Sequence, residues 1–107
     1  MSRYKRWKSF ERFVASKFRE AGWEEAKRNF GEQFEAQCGK DILNTEPFVL
    51  QCKCGKRPNP IKAYDEAKEE AKQGEIPVAV VRYTNRKKKP KTFVLLSFQD
   101  FIWLIGK

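Results

Sequence analysis

Apolar residues between Trp7 and Ala21 fall at Trp7, Phe10, Phe13, Val14, Phe18 and Ala21. This is the three- and four-residue spacing of one helix face, and Gly22 stands where such a helix stops. At about 100° per residue, Glu11 lies at the edge of that stripe, just beyond Phe18, and not on the opposite, solvated face. Its carboxylate is expected to point toward whatever the helix packs on. Lys17 falls inside the stripe, where its stem can follow apolar surface while the ammonium reaches water. The Trp and Phe residues of this helix read as core and not as base-stacking platforms. Trp23–Arg28 is expected to be extended, and Asn29–Gly39, which has no period, to be an irregular connection.

The next patterns have strand character. Lys40–Leu43 and Phe48–Lys53 flank Asn44-Thr45-Glu46-Pro47, whose turn chemistry predicts a hairpin. Lys56-Arg57-Pro58-Asn59-Pro60 breaks the pattern, and Ile61, Tyr64, Ala67, Lys68 and Ala71 then space like one face of a helix that Gly74 ends. Pro77–Tyr83 and Thr92–Phe98 are β-branched or apolar runs suited to strands, separated by a basic loop, Asn85–Lys91. Phe101, Ile102, Leu104 and Ile105 form a short apolar C-terminal helix that has to dock on the core or on another subunit. The order α-β-β-β-α-β-β-α predicts an α+β domain, α/β-like in its sequence of elements, with a mixed central β-sheet flanked by helices.

Composition narrows the partners. The 107 residues carry 23 Lys+Arg against 14 Asp+Glu, a formal charge of +9, which suits one domain spanning residues 1–107 and a polyanionic partner, nucleic acid first. No run of 18 residues is apolar, so no membrane partner is expected, and no N-terminal stretch reads as a signal peptide. The expected location is the cytoplasm. The 3 cysteines, an odd number without a secretory signal, suggest reduced thiols. Cys52 and Cys54 form a CxC pair; with Cys38 as the other thiol and no histidine, a four-ligand zinc site would need an acidic or external ligand. The lack of histidine also removes His-based acid/base, Ser-His and Cys-His catalysis. A hydrolase built from this chain has to work with carboxylates, lysine and metal.

Strand alternation puts Val49, Gln51 and Lys53 on one face and Phe48, Leu50 and Cys52 on the other. With the turn centred near Thr45–Glu46, Asp41 is expected opposite Gln51, where cross-strand side chains approach within about 5 Å. A lysine in an apolar strand costs free energy unless its ammonium reaches solvent or a fixed partner. Singly, each residue has an ordinary reading: Glu11 a surface acid, Asp41 turn chemistry, Lys53 a strand end reaching water. Their joint occurrence is the signal.

Together, Glu11, Gly39-Lys40-Asp41-Ile42 and Gln51-Cys52-Lys53 resemble the signature of the PD-(D/E)xK nuclease superfamily. Gln51-Cys-Lys-Cys-Gly-Lys-Arg-Pro58, with the helix, hairpin, helix and the Val-Ala-Val-Val and Phe-Val-Leu-Leu strands, is similar to the archaeal and phage-type Holliday junction resolvases over most of residues 8–105. Two positions depart from the pattern. Lys40 stands at the usual proline, and Gln51 stands at a usual acid, where its carbonyl can ligate a hard cation without bringing charge. Glu35 or Glu46 are candidates for a displaced carboxylate.

The resemblance implies a restriction-endonuclease-like fold and metal-dependent phosphodiester hydrolysis. Asp41, Gln51 and the backbone carbonyl of Cys52 would hold Mg²⁺ (or Mn²⁺), Glu11 would complete the site, and Lys53 would orient the attacking water and offset phosphorane charge. It further implies a homodimer acting on four-way DNA junctions, in host cytoplasm if the source is a phage. Arg28, Lys56, Arg57, Arg86, Lys87, Lys88 and Lys89 are the expected DNA contacts, the last four also readable as a solvated hairpin tip. The alternatives are a non-catalytic nucleic-acid-binding module of the same fold and a nuclease for flap, nicked or linear DNA.

Overall fold

Phe48–Gly55 is apolar enough on both faces to be buried on both, and in the computed structural model it forms β3, the strand on which the rest is organised. The structure describes residues 3–29 and 40–106. In chain order these form α1 (Arg3–Glu20), β1 (Lys27–Arg28), β2 (Ile42–Leu43), β3, α2 (Pro60–Glu70), β4 (Ile76–Asn85), β5 (Lys88–Leu95) and α3 (Phe98–Ile105). The stretch 30–39, with Glu35, Cys38, Gly39 and most of the expected irregular connection, lies outside the described residues.

β3 and β4 pair in parallel, from Phe48 opposite Ile76 to Gly55 opposite Tyr83. Such a pair requires a crossover, and α2 supplies it. β5 returns antiparallel to β4, giving a mixed three-stranded sheet in the order β3-β4-β5. Among the described residues the fold is thus α+β with three helices, as expected. α1 covers one face: Phe10, Val14 and Ala15 pack with Ile42, Leu50, Cys52, Ile76, Val78 and Val80. α2 covers the other face, where its small residues Ala63 and Ala67 are fully buried. Among the described residues no helix is long and apolar enough to cross a membrane.

Several sequence-based expectations change. The hairpin between 40–43 and 48–53 is not a ladder: β2 pairs with β1 in a separate two-stranded sheet. Its link to β3 includes a backbone bond from Asp41 N–H to the Leu50 carbonyl, 3.3 Å. The turn explains this, since the Pro47 carbonyl accepts from Ile76 N–H at 2.8 Å and so commits the start of β3 to β4. Trp23 also donates its indole N–H to the Glu46 carbonyl at 2.7 Å, holding the turn against the end of α1.

On α2 the buried face is Ala63–Ala67, whereas Ile61, expected inward, is 60% exposed. Trp7 and Phe13 of α1, expected in the core, are 44% and 38% exposed; Lys17 remains in solvent and pairs with Glu20 at 3.6 Å. The basic loop shrinks to a turn at Arg86–Lys87, with Lys88–Lys91 inside β5. β5 ends at Leu95 because Ser97 caps α3, its hydroxyl accepting from Asp100 N–H at 3.1 Å.

These packing assignments separate two substitutions. Leu50→Ala is expected to destabilise by about 2–5 kcal/mol through a lost contact and a residual cavity. Ile61→Ala should stay within about 0.5 kcal/mol, as exposed positions do. Denaturant unfolding of both variants measures the contrast, and equal losses would place Ile61 in the core.

Candidate active site and its basic groove

β3 offers one edge to β4, and its other edge faces Asp41. The Asp41 carboxylate Oδ2 accepts the Cys52 backbone N–H at 2.7 Å, occupying the place a ladder partner would take. In a strand the N–H and C=O of one residue point to the same side, so the Cys52 carbonyl faces this edge too. Asp41, expected to approach Gln51 across a hairpin, thus reaches the neighbouring backbone instead. Gln51 is buried, with its side chain on the α2 face that Lys53 shares by alternation.

Lys53 does not end in open solvent. Its ammonium lies 3.0 Å from Glu66 Oε1 and 3.5 Å from Oε2. The approach to Oε1 is off the hydrogen-bonding direction, so this buried carboxylate oxygen carries a charge contact but no hydrogen bond. Glu66 is the site residue that the sequence reading missed. A signal existed: it precedes Ala67 and follows Ala63 by three, so it borders the face that small residues let approach the sheet.

From the other face, Glu11 of α1 points inward as expected and is 4% exposed. Its Oε1 accepts from Arg28 Nε at 2.8 Å. Arg28, expected on DNA, is therefore turned inward and positions Glu11. Burial pushes the Glu11 carboxyl above its ordinary range, against the lowering effect of Arg28. Glu46 does not enter the site, since it sits exposed in the turn before β3; Glu35 and Cys38 lie outside the described residues. Cys52 is buried and its thiol is pushed well up by that burial, which leaves it an inert core residue.

The acids sense one another. Burial raises Asp41 from 3.8 to about 6; the Cys52 N–H opposes this, Glu11 and Glu66 add to it, and Lys53 offsets part of it. A groove of about 720 Å³ opens beside Lys53, lined also by Trp7, Cys54, Gly55, Lys56, Arg57 and Pro58. Lys56 and Arg57 line a second groove of about 560 Å³ with Tyr83, Arg86, Lys87, Lys88 and Lys89. Six of the seven expected DNA-contacting cations thus border one connected surface that begins at Lys53. The β4–β5 hairpin achieves this because the parallel register sets Tyr83 beside Gly55.

Comparison with family models, curated proteins and solved structures finds no match to this chain.

A stability signature follows from Asp41. Between its unfolded value of 3.8 and its folded value of about 6, the folded chain holds a proton that the unfolded chain releases. Folding stability therefore falls as pH rises through that interval. Asp41→Asn keeps an oxygen for the Cys52 N–H but no charge. Its melting temperature at about pH 7.5 should equal or exceed that of the unsubstituted protein, with a shallower decline from about pH 5. Thermal melts at both values check this; a clear loss of stability at the higher pH would refute the burial cost assigned to Asp41.

Proposed function

We propose that this chain is a metal-dependent DNA endonuclease of the PD-(D/E)xK superfamily, with a restriction-endonuclease-like fold, acting on branched DNA as Holliday junction resolvases do. One observation carries the reading: a half-buried aspartate bonded to the open edge of β3 and a lysine of that strand feel each other's charge, and the lysine opens onto a groove whose charged lining is entirely cationic.

The donor set suits a hard cation, Mg²⁺ or Mn²⁺. The Asp41 carboxylate, the Gln51 amide carbonyl and the Cys52 backbone carbonyl are all oxygens. Among the described residues no three His, Cys, Asp or Glu side chains form a ready cage. Mg²⁺ needs none, since it takes one or two carboxylates with water and phosphate oxygens. Glu66, with its oxygen lacking a hydrogen bond, supplies the second acid that Gln51 fails to provide. When bound, such an ion polarises the phosphate and acidifies a water. Lys53, steadied by Glu66, sets a positive charge where the phosphorane becomes negative. Arg28 keeps Glu11 aimed at the site, and the groove cations hold the DNA backbone.

The expected partner for a symmetric pair of cuts is a second copy. Phe98, Phe101, Ile102, Trp103 and Ile105 of α3 are exposed, together with Val94 of β5. At about half or more of each residue they offer roughly 600–700 Å² of apolar surface, near one partner's share of a standard interface. From Thr92 to Gly106 Asp100 is the single charged residue, so two chains of high positive charge can meet on this face without opposing cations.

The test is cleavage of four-way, flap, nicked and linear DNA across a Mg²⁺ and Mn²⁺ series. Divalent-dependent cutting is expected, with Asp41→Ala and Lys53→Ala each slowing it by about 10²-fold or more and Glu66→Gln by about 10- to 100-fold. Gln51→Glu should preserve or raise metal affinity. DNA binding without cutting at any metal concentration would leave the non-catalytic module. For the pairing, sedimentation should give a dimer that Ile102→Glu converts to monomer, and a monomeric parent protein would exclude this interface.

A further inference from the structure

One wall of the groove is explained by neither metal nor phosphate. Trp7, on the first helix, is 44% exposed and faces the same space as Lys53, Lys56 and Arg57. Three residues later Phe10 is fully buried, so the core closes before it reaches Trp7. An exposed aromatic alone is ordinary. This one stands among three cations beside the proposed reacting end of the groove, where its large apolar surface meets a route for a polyanion.

We infer that Trp7 is a stacking platform for one unpaired base, and that the DNA taken by this site carries an unpaired or splayed nucleotide next to the cleaved phosphate. Inside a continuous duplex both faces of a base are covered by its neighbours, so an indole has nothing to stack on. At a branch point, flap or nick one face comes free. Every base presents a π-face, and such contacts contribute about 1–3 kcal/mol without reading sequence. A groove of about 720 Å³ falls in the range that admits a small ligand, roughly 300–1,000 Å³, and so has room for a nucleotide. Lys56 and Arg57 border both this groove and the next, which places them at the phosphates that join the unpaired nucleotide to the adjoining arm. Tyr83 marks the start of that second groove, its ring braced edge-on against Phe93 at 6.0 Å, and the hairpin cations beyond it suit a duplex backbone.

The inference deepens the nuclease reading by naming the substrate class, but it is tested on binding alone, so failure of catalysis and failure of stacking remain separate results. Fluorescence anisotropy with a labelled oligothymidine strand and a duplex of equal length, in chelator, compares the unsubstituted protein with Trp7→Phe and Trp7→Leu. Both variants keep an apolar side chain, and only phenylalanine keeps a ring. Trp7→Leu should weaken single-strand binding by about 5- to 100-fold and change duplex binding by less than about 2-fold, while Trp7→Phe should retain most single-strand affinity. Quenching of tryptophan emission by the strand should fall sharply in Trp7→Phe, since Trp23 and Trp103 lie outside the residues lining either groove. Equal loss on both DNAs, retained single-strand affinity in Trp7→Leu, or unchanged quenching in Trp7→Phe would each overturn the assignment. A change of oligomeric state in Trp7→Leu without loss of single-strand binding would do the same and give Trp7 to a contact between copies.

Discussion

A strand at the edge of a sheet leaves a row of N–H and C=O groups for which partners have to be found. On β3 part of that need is met by a side chain: the Asp41 carboxylate takes the Cys52 N–H at 2.7 Å. The bond fixes where the chain arrives after β1 and β2, and it sets a carboxylate beside a backbone carbonyl at the middle of a buried strand. Burial opposes ionisation there, hence the rise of Asp41 to about 6. A neutral side chain could meet the structural need more cheaply. An acid held where its charge is unfavourable suits the cation-binding role proposed for it.

Register decides whether anything useful gathers around that acid. Slipping β3 by one residue would exchange Gln51 and Lys53 with Leu50 and Cys52 and send the lysine into the α1 core. Phe10 and Val14 need apolar partners on one side, and Ala63 and Ala67 require close approach on the other. Both fix the same register. The small size of the two alanines has a further effect: it brings α2 near enough for Glu66 to reach Lys53. One packing choice thus buries the sheet and supplies a carboxylate.

Periodicity reads well where an element buries a single stripe and poorly where tertiary partners select among stripes. Glu11 was legible because Phe10, Val14 and Phe18 set the buried face and it borders them. Ile61 misled because size suggested burial, while the sheet admits only alanine-sized residues at that distance. The pairing of β2 with β1 could not be read from the turn residues, since β3 was free to choose β4, an equally apolar strand 28 residues later in the register. Trp7 and Phe13 lie on the predicted stripe yet outside the core, because a stripe of fixed spacing says nothing about where the opposing sheet ends. Glu66 was missed for a related reason: its place beside Lys53 depends on an ion pair across 13 residues, which no local pattern encodes.

Charge distribution completes the physical picture of the proposed site. The chain carries +9 overall, yet Glu11, Asp41 and Glu66 are close enough to raise the proton affinity of Asp41. Such a cluster repels a phosphate at short range, whereas the groove cations attract DNA from further away. Holding DNA and placing its scissile phosphate are therefore separate demands on the same surface. Lys53 offsets only part of the acids' charge, and its own ammonium is engaged by Glu66. In the proposed site a divalent cation would remove the remaining repulsion and favour the ionised form of Asp41, so ion and phosphate would support each other's entry. On this reading the acids would prevent chemistry in the absence of metal without preventing DNA from binding, because the cations proposed to hold the backbone, Lys56, Arg57 and Arg86 to Lys89, lie along the groove and outside the acidic cluster.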